Sequence, residues 1–313
     1  SAVVFRWYYC RSRRSIIFTV RKLVTRTDPV YMSIQSRKLI VEFTKMSGAG
    51  NDFIVIDNRF YNFSRDELSE MAKNLCRRRI SLGADGILAL CNPDTEGASF
   101  RMMYYNADGS LGTMCGNGAR CLARFAREAG LMEEPLVFDS DAGLYAASVG
   151  EDASLVRLFV PAPKGYVENI PLDGDLPNGS TVAHYIWTGT QHLVIPVEDV
   201  SKLNLTHLGP RLRADAGLGE EGANVNFVEQ TGDATFHVRS FEKGVEAETL
   251  ACGTGSIASA LVSHRTGKTR SQEISVRMPG GELKVGFEGP SSDPQKLYLE
   301  GAADLVYRGT LEL

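Results

Sequence analysis

The sequence predicts an α/β fold of the α+β type, made of two similar domains that each enclose one helix with strands. The first observation is a repeated motif, Cys115-Gly116-Asn117-Gly118 and Cys252-Gly253-Thr254-Gly255. The second is spacing, because Gly130 and Gly267 each follow their cysteine by 15 positions, and a strand-like run begins 22 positions after each cysteine. A repeat of about half the chain indicates a duplicated domain and not a short solenoid unit.

Length and composition are those of a globular chain with two domains. The 313 residues are 43% hydrophobic and 23% charged, and a domain typically takes about 100–200 residues. The net charge of −4 gives no electrostatic support for binding nucleic acid. No apolar run is long enough for a membrane helix. We therefore expect a small-molecule ligand and neither a nucleic-acid nor a membrane partner.

The cysteines are typical of free thiols in a reducing compartment. Six are scattered through a chain too long to need disulfides for stability, and no Cys-x-x-Cys pair occurs. None of the five histidines lies at zinc-ligand spacing from a cysteine. The sequence predicts no metal site and a cytoplasmic location.

The first 31 residues are basic, with seven arginines and lysines against the single acid Asp28. Such a bias resembles an organellar transit segment, and an organelle is then the alternative location. The interpretation we favour is that the chain proper starts at Met32. In either case residues 1–38 are expected to lie outside the fold.

The first domain, residues 39–160, follows from alternating and apolar runs on both sides of the first cysteine. Ser64 and Glu67 form a capping-box pattern that predicts a helix through about residue 77. The small and apolar run at 118–129 predicts the first cysteine helix. Strands are predicted at 39–45, 53–57, 87–90, 100–105, 136–138, 144–149 and 155–160, with a turn at 47–52 and a glycine-bearing loop at 80–86.

The second domain, residues 161–301, repeats this order after a proline-rich crossover at 161–165. Residues 255–262 are small and apolar on nearly every side, which predicts a helix enclosed by a sheet. A further helix is predicted near 206–215, and residues 302–313 predict a strand that returns to the first domain. The other strands are predicted at 182–187, 193–197, 224–229, 236–241, 274–277, 283–287 and 297–299.

A cysteine at a helix N-terminus is suited to proton transfer. Unpaired N–H groups and the helix dipole favour the thiolate, which predicts a lowered pKa and a base usable near neutral pH. Two opposed thiols can remove a proton from one face of a carbon and return one to the other face. The flanking glycines let backbone N–H groups approach a carboxylate, so the motifs predict racemisation alpha to a carboxylate without pyridoxal.

The alternative for each cysteine alone is a small buried hydrophobe, which is common for a free cysteine. Two cysteines in register favour the catalytic interpretation for Cys115 and Cys252. Cys76, Cys91 and Cys121 have no such register and are expected in the core. In the first cysteine helix Arg120, Arg124 and Arg127 follow at i, i+4 and i+7, and we expect this stripe to be a solvated face.

Several motifs resemble the diaminopimelate epimerase family from about Phe43 to the C-terminus. The resemblance implies a two-base epimerisation of LL-2,6-diaminopimelate to the meso form, a step towards lysine and peptidoglycan precursors, with no cofactor. It also implies two similar domains, each a curved, mostly antiparallel sheet wrapped around a central helix, and commonly a homodimer. The motifs are Gly48-Ala49-Gly50-Asn51-Asp52-Phe53, Gly83-Ala84-Asp85-Gly86, Asn106-Ala107-Asp108-Gly109-Ser110, the run 114–121 and the run 248–255.

The same resemblance implies the site residues. Cys115 and Cys252 become the acid/base thiols, with His192 and Glu242 beside them as groups that orient a cysteine or accept its proton. Without the family, His192 would more often be a structural histidine and Glu242 a surface residue. The residues expected to bind the substrate are Asn51, Asn106, Gly116, Asn117, Asn224, Glu242, Lys243, Gly253 and Thr254.

Three departures from the family pattern lie near the expected position of the distal amino-carboxylate. Thr190-Gln191-His192 stands where the family has Asn-Pro-His, and Glu242-Lys243 where it has Glu-Arg. Lysine offers a point charge in place of a bidentate guanidinium. The segment 244–248 is one residue longer than the commonest form, which could shift Glu242 and Lys243. The sequence therefore predicts the reaction type more firmly than the substrate.

Other functions remain open. A racemase for proline, hydroxyproline or a basic amino acid would use the same two thiols, although the Gly-Ala-Arg-Cys that follows Asn117 favours the epimerase. From another class, a non-catalytic amino-acid-binding protein or a thiol redox sensor would keep a cleft but would not need two cysteines in symmetric register. The departures at Thr190 and Lys243 leave the racemase as the main alternative.

Overall fold

The computed structural model describes residues 39–177 and 180–313. The expected N-terminal extension, residues 1–38, lies outside the described residues. The chain divides into two compact units. In the smaller unit residues 39–41 and 310–313 are described, and Leu39 and Leu313 exchange two backbone hydrogen bonds with N–O distances of 3.2 and 2.8 Å. The larger unit, Glu42–Gly309, contains the helices and all the strands except the first two residues of the first strand and the last three of the last.

The described residues form five α-helices and a sheet of 18 strands. The helices are α1 Asn58–Tyr61, α2 Arg65–Leu75, α3 Gly116–Glu128, α4 Leu205–Arg213 and α5 Gly253–Arg265. The strands are β1 Ile40–Gly48, β2 Asn51–Asp57, β3 Gly86–Cys91, β4 Phe100–Asn106, β5 Leu111–Gly112, β6 Leu136–Ser140, β7 Gly143–Val149, β8 Leu155–Phe159, β9 Lys164–Val167, β10 His184–Trp187, β11 Gln191–Val197, β12 Asn224–Gly232, β13 Thr235–Glu242, β14 Ala247–Thr249, β15 Glu273–Met278, β16 Gly281–Glu288, β17 Gln295–Ala302 and β18 Asp304–Glu312.

The strand pairings of the first half repeat in the second half. Strand β1 pairs antiparallel with β2, β2 parallel with β3, β3 antiparallel with β4, and β4 parallel with β6, after which β6, β7 and β8 pair antiparallel. The same sequence of directions runs through β10, β11, β12, β13, β15, β16 and β17. The two halves therefore share one topology, and the predicted α+β class is confirmed. The boundaries at residues 160 and 301 stay predictions.

Each cysteine helix lies in its own hydrophobic core. Helix α3 contacts β2, β3, β4, β7 and β8, while α5 contacts β10, β11, β12, β13, β15 and β16. In α3 the buried residues include Ala119, Leu122 and Ala126, and in α5 every residue from 255 to 263 is buried. Burial on all sides explains the small, apolar composition of α5. A third core packs α4 on the other face of β11, β12 and β13.

The two halves are joined by an antiparallel pair, β8 and β17, in which Leu158 lies opposite Leu299. These leucines hold equivalent places, because β8 pairs with β7 as β17 pairs with β16. At the other end of the chain, the ring of Tyr307 on β18 contacts Phe43 on β1, with 5.9 Å between the centroids.

The observed elements differ from the predicted ones mainly at their ends. Helices α3 and α5 begin at Gly116 and Gly253, two residues earlier than predicted, because each cysteine is itself the N-cap. The turn predicted at 47–52 shrinks to Ala49 and Gly50, which both have positive φ. Strands β5, β9 and β14 were not predicted, since two to four residues carry too little alternation to be recognised. No helix within residues 39–177 and 180–313 is long and apolar enough to cross a membrane.

Candidate active site

The two cysteine motifs converge on the strand pair that joins the halves. A Cβ atom added to Gly116 would lie 3.6 Å from Leu158 Cδ2, and one added to Gly253 would lie 2.9 Å from Leu299 Cδ2. Since Leu158 and Leu299 face each other across β8 and β17, both helix N-termini lie over the same point of the sheet. Helices α3 and α5 also contact each other. The two motifs therefore lie close together, as two opposed thiols would require.

Cys115 is the N-cap of α3 and is partly exposed. Its sulfur accepts a hydrogen bond from the backbone N–H of Gly118 at 3.5 Å. The first N–H groups of a helix have no carbonyl acceptor within the helix. A sulfur, or a substrate carboxylate, can take them instead.

Cys252 is the N-cap of α5 and is buried. Its sulfur lies 3.6 Å from the hydroxyl oxygen of Thr254. Its own backbone N–H donates to the sulfur of Met278 at 3.3 Å. Cys252 is thus more enclosed than Cys115, although both cap equivalent helices.

The pKa of both thiols is raised, which is opposite to the direction predicted from the helix N-termini. For Cys115 the largest cause is burial, which outweighs the backbone N–H groups of Gly118 and Asn117 and the positive charge of Arg120. For Cys252 burial again comes first and the charge of Glu242 adds to it. The helix effect is present but smaller than the cost of desolvating a thiolate. A thiolate of raised pKa is rarer but is a stronger base.

The charge of Glu242 acts on both thiols, because it raises the pKa of Cys115 and of Cys252. Burial raises the pKa of Glu242 itself, and hydrogen bonds from Thr249 and Cys252 oppose that shift. Thr249 Oγ1 donates to Glu242 Oε1. Glu242 is therefore placed beside the Cys252 thiol, from which it accepts a hydrogen bond.

His192 is completely buried, and its pKa falls to about 3, first because of burial and second because of the charge of Lys243. Its Nδ1 lies 3.0 Å from Asn226 Nδ2, which also donates to the carbonyl of Leu193 at 3.2 Å. Ser240 Oγ donates to Asn226 Oδ1 at 2.7 Å and fixes that amide. His192 Nδ1 must then be an acceptor, so the ring proton is on Nε2. Nε2 is buried without a hydrogen-bond partner in the described part of the chain, which favours a neutral donor over a proton acceptor.

Asn51 and Asn117 belong to a relay of hydrogen bonds around α3. Asn51 Nδ2 donates to Asp85 Oδ2 at 3.0 Å, and Asn117 Nδ2 donates to Asn51 Oδ1 at 2.6 Å. Arg120 Nη2 donates to Asn117 Oδ1 at 2.9 Å. The structure thus brings these two sequence-predicted residues together with Cys115.

Asn106, the last residue of β4, lies on the same side as Cys115. Its Oδ1 accepts from the hydroxyl of Tyr104 at 2.6 Å, and its Nδ2 donates to Ser110 Oγ at 3.0 Å. Tyr104 in turn is close enough to Cys115 for the thiolate to raise the pKa of the phenol, after burial, which is the larger cause. Asn106 is therefore near the first thiol with its amide held by two neighbours.

Two of the three departures from the family pattern, at 190–191 and at 243, meet at one atom. Gln191 Oε1 accepts from Lys243 Nζ at 3.0 Å and from Thr190 Oγ1 at 3.1 Å. The backbone N–H of Lys243 donates to Asn224 Oδ1 at 2.8 Å, which places Asn224 in the same cluster. The side chains of Thr190, Gln191 and Lys243 therefore form one hydrogen-bonded unit. A proline at position 191 has no side-chain acceptor and could not make these bonds.

The predicted solvated stripe on α3 is wrong for Arg120, which has no exposed surface. Arg124 and Arg127 do pair with acids, Glu128 and Glu134. The prediction of solvent exposure failed for Arg120 because β17 covers it. Gly301 on that strand leaves room for the guanidinium, since a Cβ there would lie 3.3 Å from Arg120 Cζ. Sequence reasoning also missed Asp85, Tyr104, Gln191, Asn226, Ser240 and Thr249. Asp85 was the easiest to find, since it lies inside a quoted motif.

The family model described as diaminopimelate epimerase matches residues 43–159 and 184–306. The diaminopimelate epimerase of Chlorobaculum tepidum is 42% identical over 273 residues, which cover 86% of this chain and 100% of that protein. The one from Aquifex aeolicus is 37% identical over 279 residues, 87% of this chain and 98% of that protein. The one from Methanocella arvoryzae is 37% identical over 281 residues, which cover 87% of this chain and 97% of that protein.

Solved structures show the same fold at low identity. A phenazine biosynthesis protein of the PhzF family from Bacillus anthracis superposes with a TM-score of 0.66 at 18% identity, covering 88% of this chain and 100% of that chain. A hydroxyproline epimerase from Agrobacterium vitis, solved with bound trans-4-hydroxy-L-proline, gives 0.63 at 15% identity, covering 88% and 92%. The fold and the family resemblance predicted from the motifs are confirmed. On these matches along almost its entire described length, the chain belongs to the diaminopimelate epimerase family of isomerases.

Proposed function

We propose that this chain epimerises LL-2,6-diaminopimelate to meso-diaminopimelate with Cys115 and Cys252 as the two acid/base groups. The observation that carries the proposal is the convergence of two cysteine-capped helix N-termini over Leu158 and Leu299. The relatives named diaminopimelate epimerase support this substrate.

The proposed reaction uses one thiolate and one thiol. The thiolate takes the proton from the substrate's alpha carbon on one face, and the opposite thiol gives its proton to the other face. The two sulfurs exchange roles in each turnover, so the reverse reaction uses the same groups. In the transition state negative charge spreads from the alpha carbon into the adjacent carboxylate.

That carboxylate is best stabilised by the helix N-termini, whose first N–H groups and dipoles favour an anion. We assign this role to the backbone of Gly116, Asn117, Gly253 and Thr254. Glycine at 253 also lets this helix start pack closely on the sheet, because a Cβ there would lie 2.9 Å from Leu299 Cδ2. Asn51 and Asn106 supply amide groups on the Cys115 side.

Glu242 and His192 support the second thiol in this scheme. Glu242 accepts the Cys252 proton when that thiol acts as the base, and its raised pKa suits the exchange. Neutral His192 donates from Nε2, a group without a protein partner in residues 39–177 and 180–313. Such a buried donor is costly unless a ligand satisfies it.

The distal end of diaminopimelate is assigned to the cluster formed by Thr190, Gln191, Asn224 and Lys243. Lys243 offers a positive charge to the distal carboxylate, and its contact with Gln191 Oε1 fixes the ammonium group at 3.0 Å. A single ammonium binds a carboxylate with less directional preference than a guanidinium. We therefore expect weaker selection for the distal group than an arginine would give.

We also propose a homodimer and a cytoplasmic location. Both proposals rest on the family resemblance. The location is also supported by the free thiols, because thiols stay reduced in a reducing compartment. All five cysteines among the described residues are free thiols. Light scattering of the purified chain measures the first, and fractionation of the source cells measures the second.

The experiment that tests the function is incubation with LL-diaminopimelate in D₂O, without added cofactor, while the alpha proton is followed by NMR. L-Proline, L-histidine and L-lysine are run in parallel. We expect exchange and meso product with diaminopimelate alone. The double variant Cys115→Ser/Cys252→Ser is the matched control and should show neither.

Exchange with proline or a basic amino acid in place of diaminopimelate would keep the two-thiol chemistry and reassign the substrate. Binding of an amino acid without any exchange would contradict the enzyme and favour a binding protein. Exchange that persists in the double variant would exclude the two thiols as the bases.

A further inference from the structure

Arg120 is a buried cation without a counter-ion among the described residues. Its side chain has no solvent exposure, and its Nε and Nη1 atoms have no hydrogen-bond partner. Within residues 39–177 and 180–313, its one hydrogen bond runs from Nη2 to Asn117 Oδ1 at 2.9 Å. Burying a charge without a partner is expensive, and replacing buried ions by apolar residues is often neutral or stabilising.

The second half shows that the fold does not need this arginine. Ile257 follows Cys252 by five positions, as Arg120 follows Cys115, and it lies in the apolar core around α5. The sheet makes room for the guanidinium through Gly301, where a Cβ would approach Arg120 Cζ and Nε to 3.3 Å. Since an apolar residue serves the fold at the equivalent position, the presence of Arg120 indicates a role other than stability.

The hydrogen bond from Arg120 determines how two amides are oriented. Arginine can only donate, so Asn117 must turn its oxygen to Arg120 and its NH₂ group to Asn51. Asp85 at the other end of the relay can only accept when ionised, which fixes the NH₂ group of Asn51 towards it. Each amide nitrogen uses one N–H in the relay and keeps the other for a ligand.

The charge of Arg120 also acts on Cys115. The charged and titratable groups that influence this thiol are Arg120 and Cys121 on α3, Glu242 on β13 and Tyr104 on β4. Arg120 is the cation in this set. Its charge lowers the pKa of Cys115, whereas Glu242 raises it. The charge beside Cys252 is instead the carboxylate of Glu242, which raises the pKa of that thiol.

We propose that Arg120 is a positioning residue of the active site. Through its single hydrogen bond it fixes the amides of Asn117 and Asn51 towards the substrate, and its unpaired charge favours the thiolate state on Cys115 over Cys252. The part that concerns substrate rests on the proposed function, whereas the part that concerns Cys115 does not.

The test compares Arg120→Met, which removes the charge and the donor, with Arg120→Lys, which keeps the charge. Asp85→Asn removes the carboxylate that fixes the other end of the relay, together with its ion pair to Arg78. Arg124→Met, one turn along the same helix, is the matched control because Arg124 pairs with Glu128 and the carbonyl of Ala303. Three quantities are measured: the melting temperature, the pH dependence of kcat/KM on diaminopimelate, and the rate at which iodoacetamide alkylates Cys115 and Cys252, resolved by peptide mass spectrometry.

For Arg120→Met we expect an unchanged or higher melting temperature with kcat/KM lowered roughly 10- to 100-fold, as for a misplaced substrate. Its Cys115 alkylation profile and the acidic limb of kcat/KM should move to higher pH, while Cys252 keeps its rate. Arg120→Lys should restore the pH profile but only part of kcat/KM. Asp85→Asn should raise KM about fivefold, the value of one hydrogen bond, with no change in alkylation.

A wild-type Cys115 alkylation rate together with wild-type turnover in Arg120→Met would overturn the proposal. So would equal losses in Arg120→Met and Arg124→Met, which would indicate a general effect of the helix. If Arg120→Met does not fold, Arg120→Lys and Asp85→Asn still decide the two parts separately. If diaminopimelate is not the substrate, the alkylation profile still tests the charge.

Discussion

Arg120 and Ile257 occupy the same place in two copies of one fold, five residues after a helix-capping cysteine, and only the first is charged. The other equivalent positions differ in the same systematic way. Asn106 ends β4 where Glu242 ends β13, and Asn117 stands where Thr254 stands. The first half therefore surrounds its thiol with amides and a cation, and the second half surrounds its thiol with a hydroxyl, a carboxylate and a neutral imidazole.

The difference indicates which properties the duplication retained. The backbone features common to both halves, a cysteine N-cap and glycines at the helix start, provide two proton carriers and two sets of N–H donors. The side chains that differ decide how each thiol is charged and hydrated. Substitutions at matched positions of the two halves test this difference.

The largest effect is expected from the thiols. Cys115→Ser and Cys252→Ser should each lower epimerisation by about 10²- to 10⁴-fold, the usual contribution of a general acid or base, because a hydroxyl is a far weaker acid than a thiol. Melting temperatures should change little. Cys91→Ser, at a partly exposed thiol away from both helix starts, is the control. Near-normal turnover in either active-site variant contradicts the two-thiol mechanism.

The glycines three residues after each cysteine should respond unequally. A Cβ at Gly255 would lie 2.3 Å from Asn226 Oδ1 and 3.2 Å from Cys252 Sγ, whereas one at Gly118 would meet only Leu88 and Phe53 carbons, at 3.0 Å or more. Gly255→Ala should cost about 1–3 kcal/mol of unfolding free energy, as for overpacking, and reduce turnover by displacing Asn226 from His192. Gly118→Ala should cost less and keep turnover. Equal losses in denaturation and activity assays would show that the second half is no more tightly packed.

His192 should make stability depend on pH in a way that the first half does not, since Phe53 holds the equivalent place in β2. The imidazole has a pKa of about 3 when folded against 6.5 when unfolded. The unfolded chain therefore binds the extra proton, and stability is lost as pH falls from about 6.5 towards 3. At pH 5 the loss is about 2 kcal/mol. Urea unfolding at pH 7 and pH 5 should show a smaller difference for His192→Gln than for wild type; an identical difference would assign the ring a normal pKa.

The smallest effect is expected at Gln191, which has no counterpart in the first half's relay. Gln191→Ala frees Lys243 and Thr190 from their shared acceptor. Of these bonds, the one that positions Lys243 concerns the substrate, and its loss, at about 1 kcal/mol, should raise KM for diaminopimelate about fivefold and leave kcat nearly unchanged. Gln230→Ala, an exposed amide that bonds to Lys268, is the control. A fall in kcat without a change in KM would place Gln191 nearer to the reacting carbon than we propose.

The repeated fold could be predicted because its signals are local and occur twice. The Cys-Gly-x-Gly motifs, the equal distances to Gly130 and Gly267 and the alternating runs all lie within short windows. The same windows were misleading for Arg120, because its i, i+4, i+7 spacing describes a helix face but does not tell what covers it. The cover is Gly301, far along the chain on β17.

The chemistry of the site depends even more on distant neighbours. The thiol pKa direction was predicted from the helix N-termini alone, and burial by the rest of the fold reversed it. The donor role of His192 follows from Asn226 on β12 and Ser240 on β13, which no motif connects. Residue types can therefore nominate a site, whereas protonation states require the packing around it.

The strand pair that places Leu158 opposite Leu299 has a consequence for how such a site could arise. Two identical half-chains related by a twofold axis could form the same strand pair and bring two identical cysteines together. Identical halves, however, must carry the same charges, so a symmetric dimer would have a cation at both thiols or a carboxylate at both. Only a single polypeptide can carry Arg120 in one half with Ile257 at the equivalent position of the other, and Asn106 in one half with Glu242 in the other. Joining the two halves in one chain therefore allows the two thiols to have different charged neighbours.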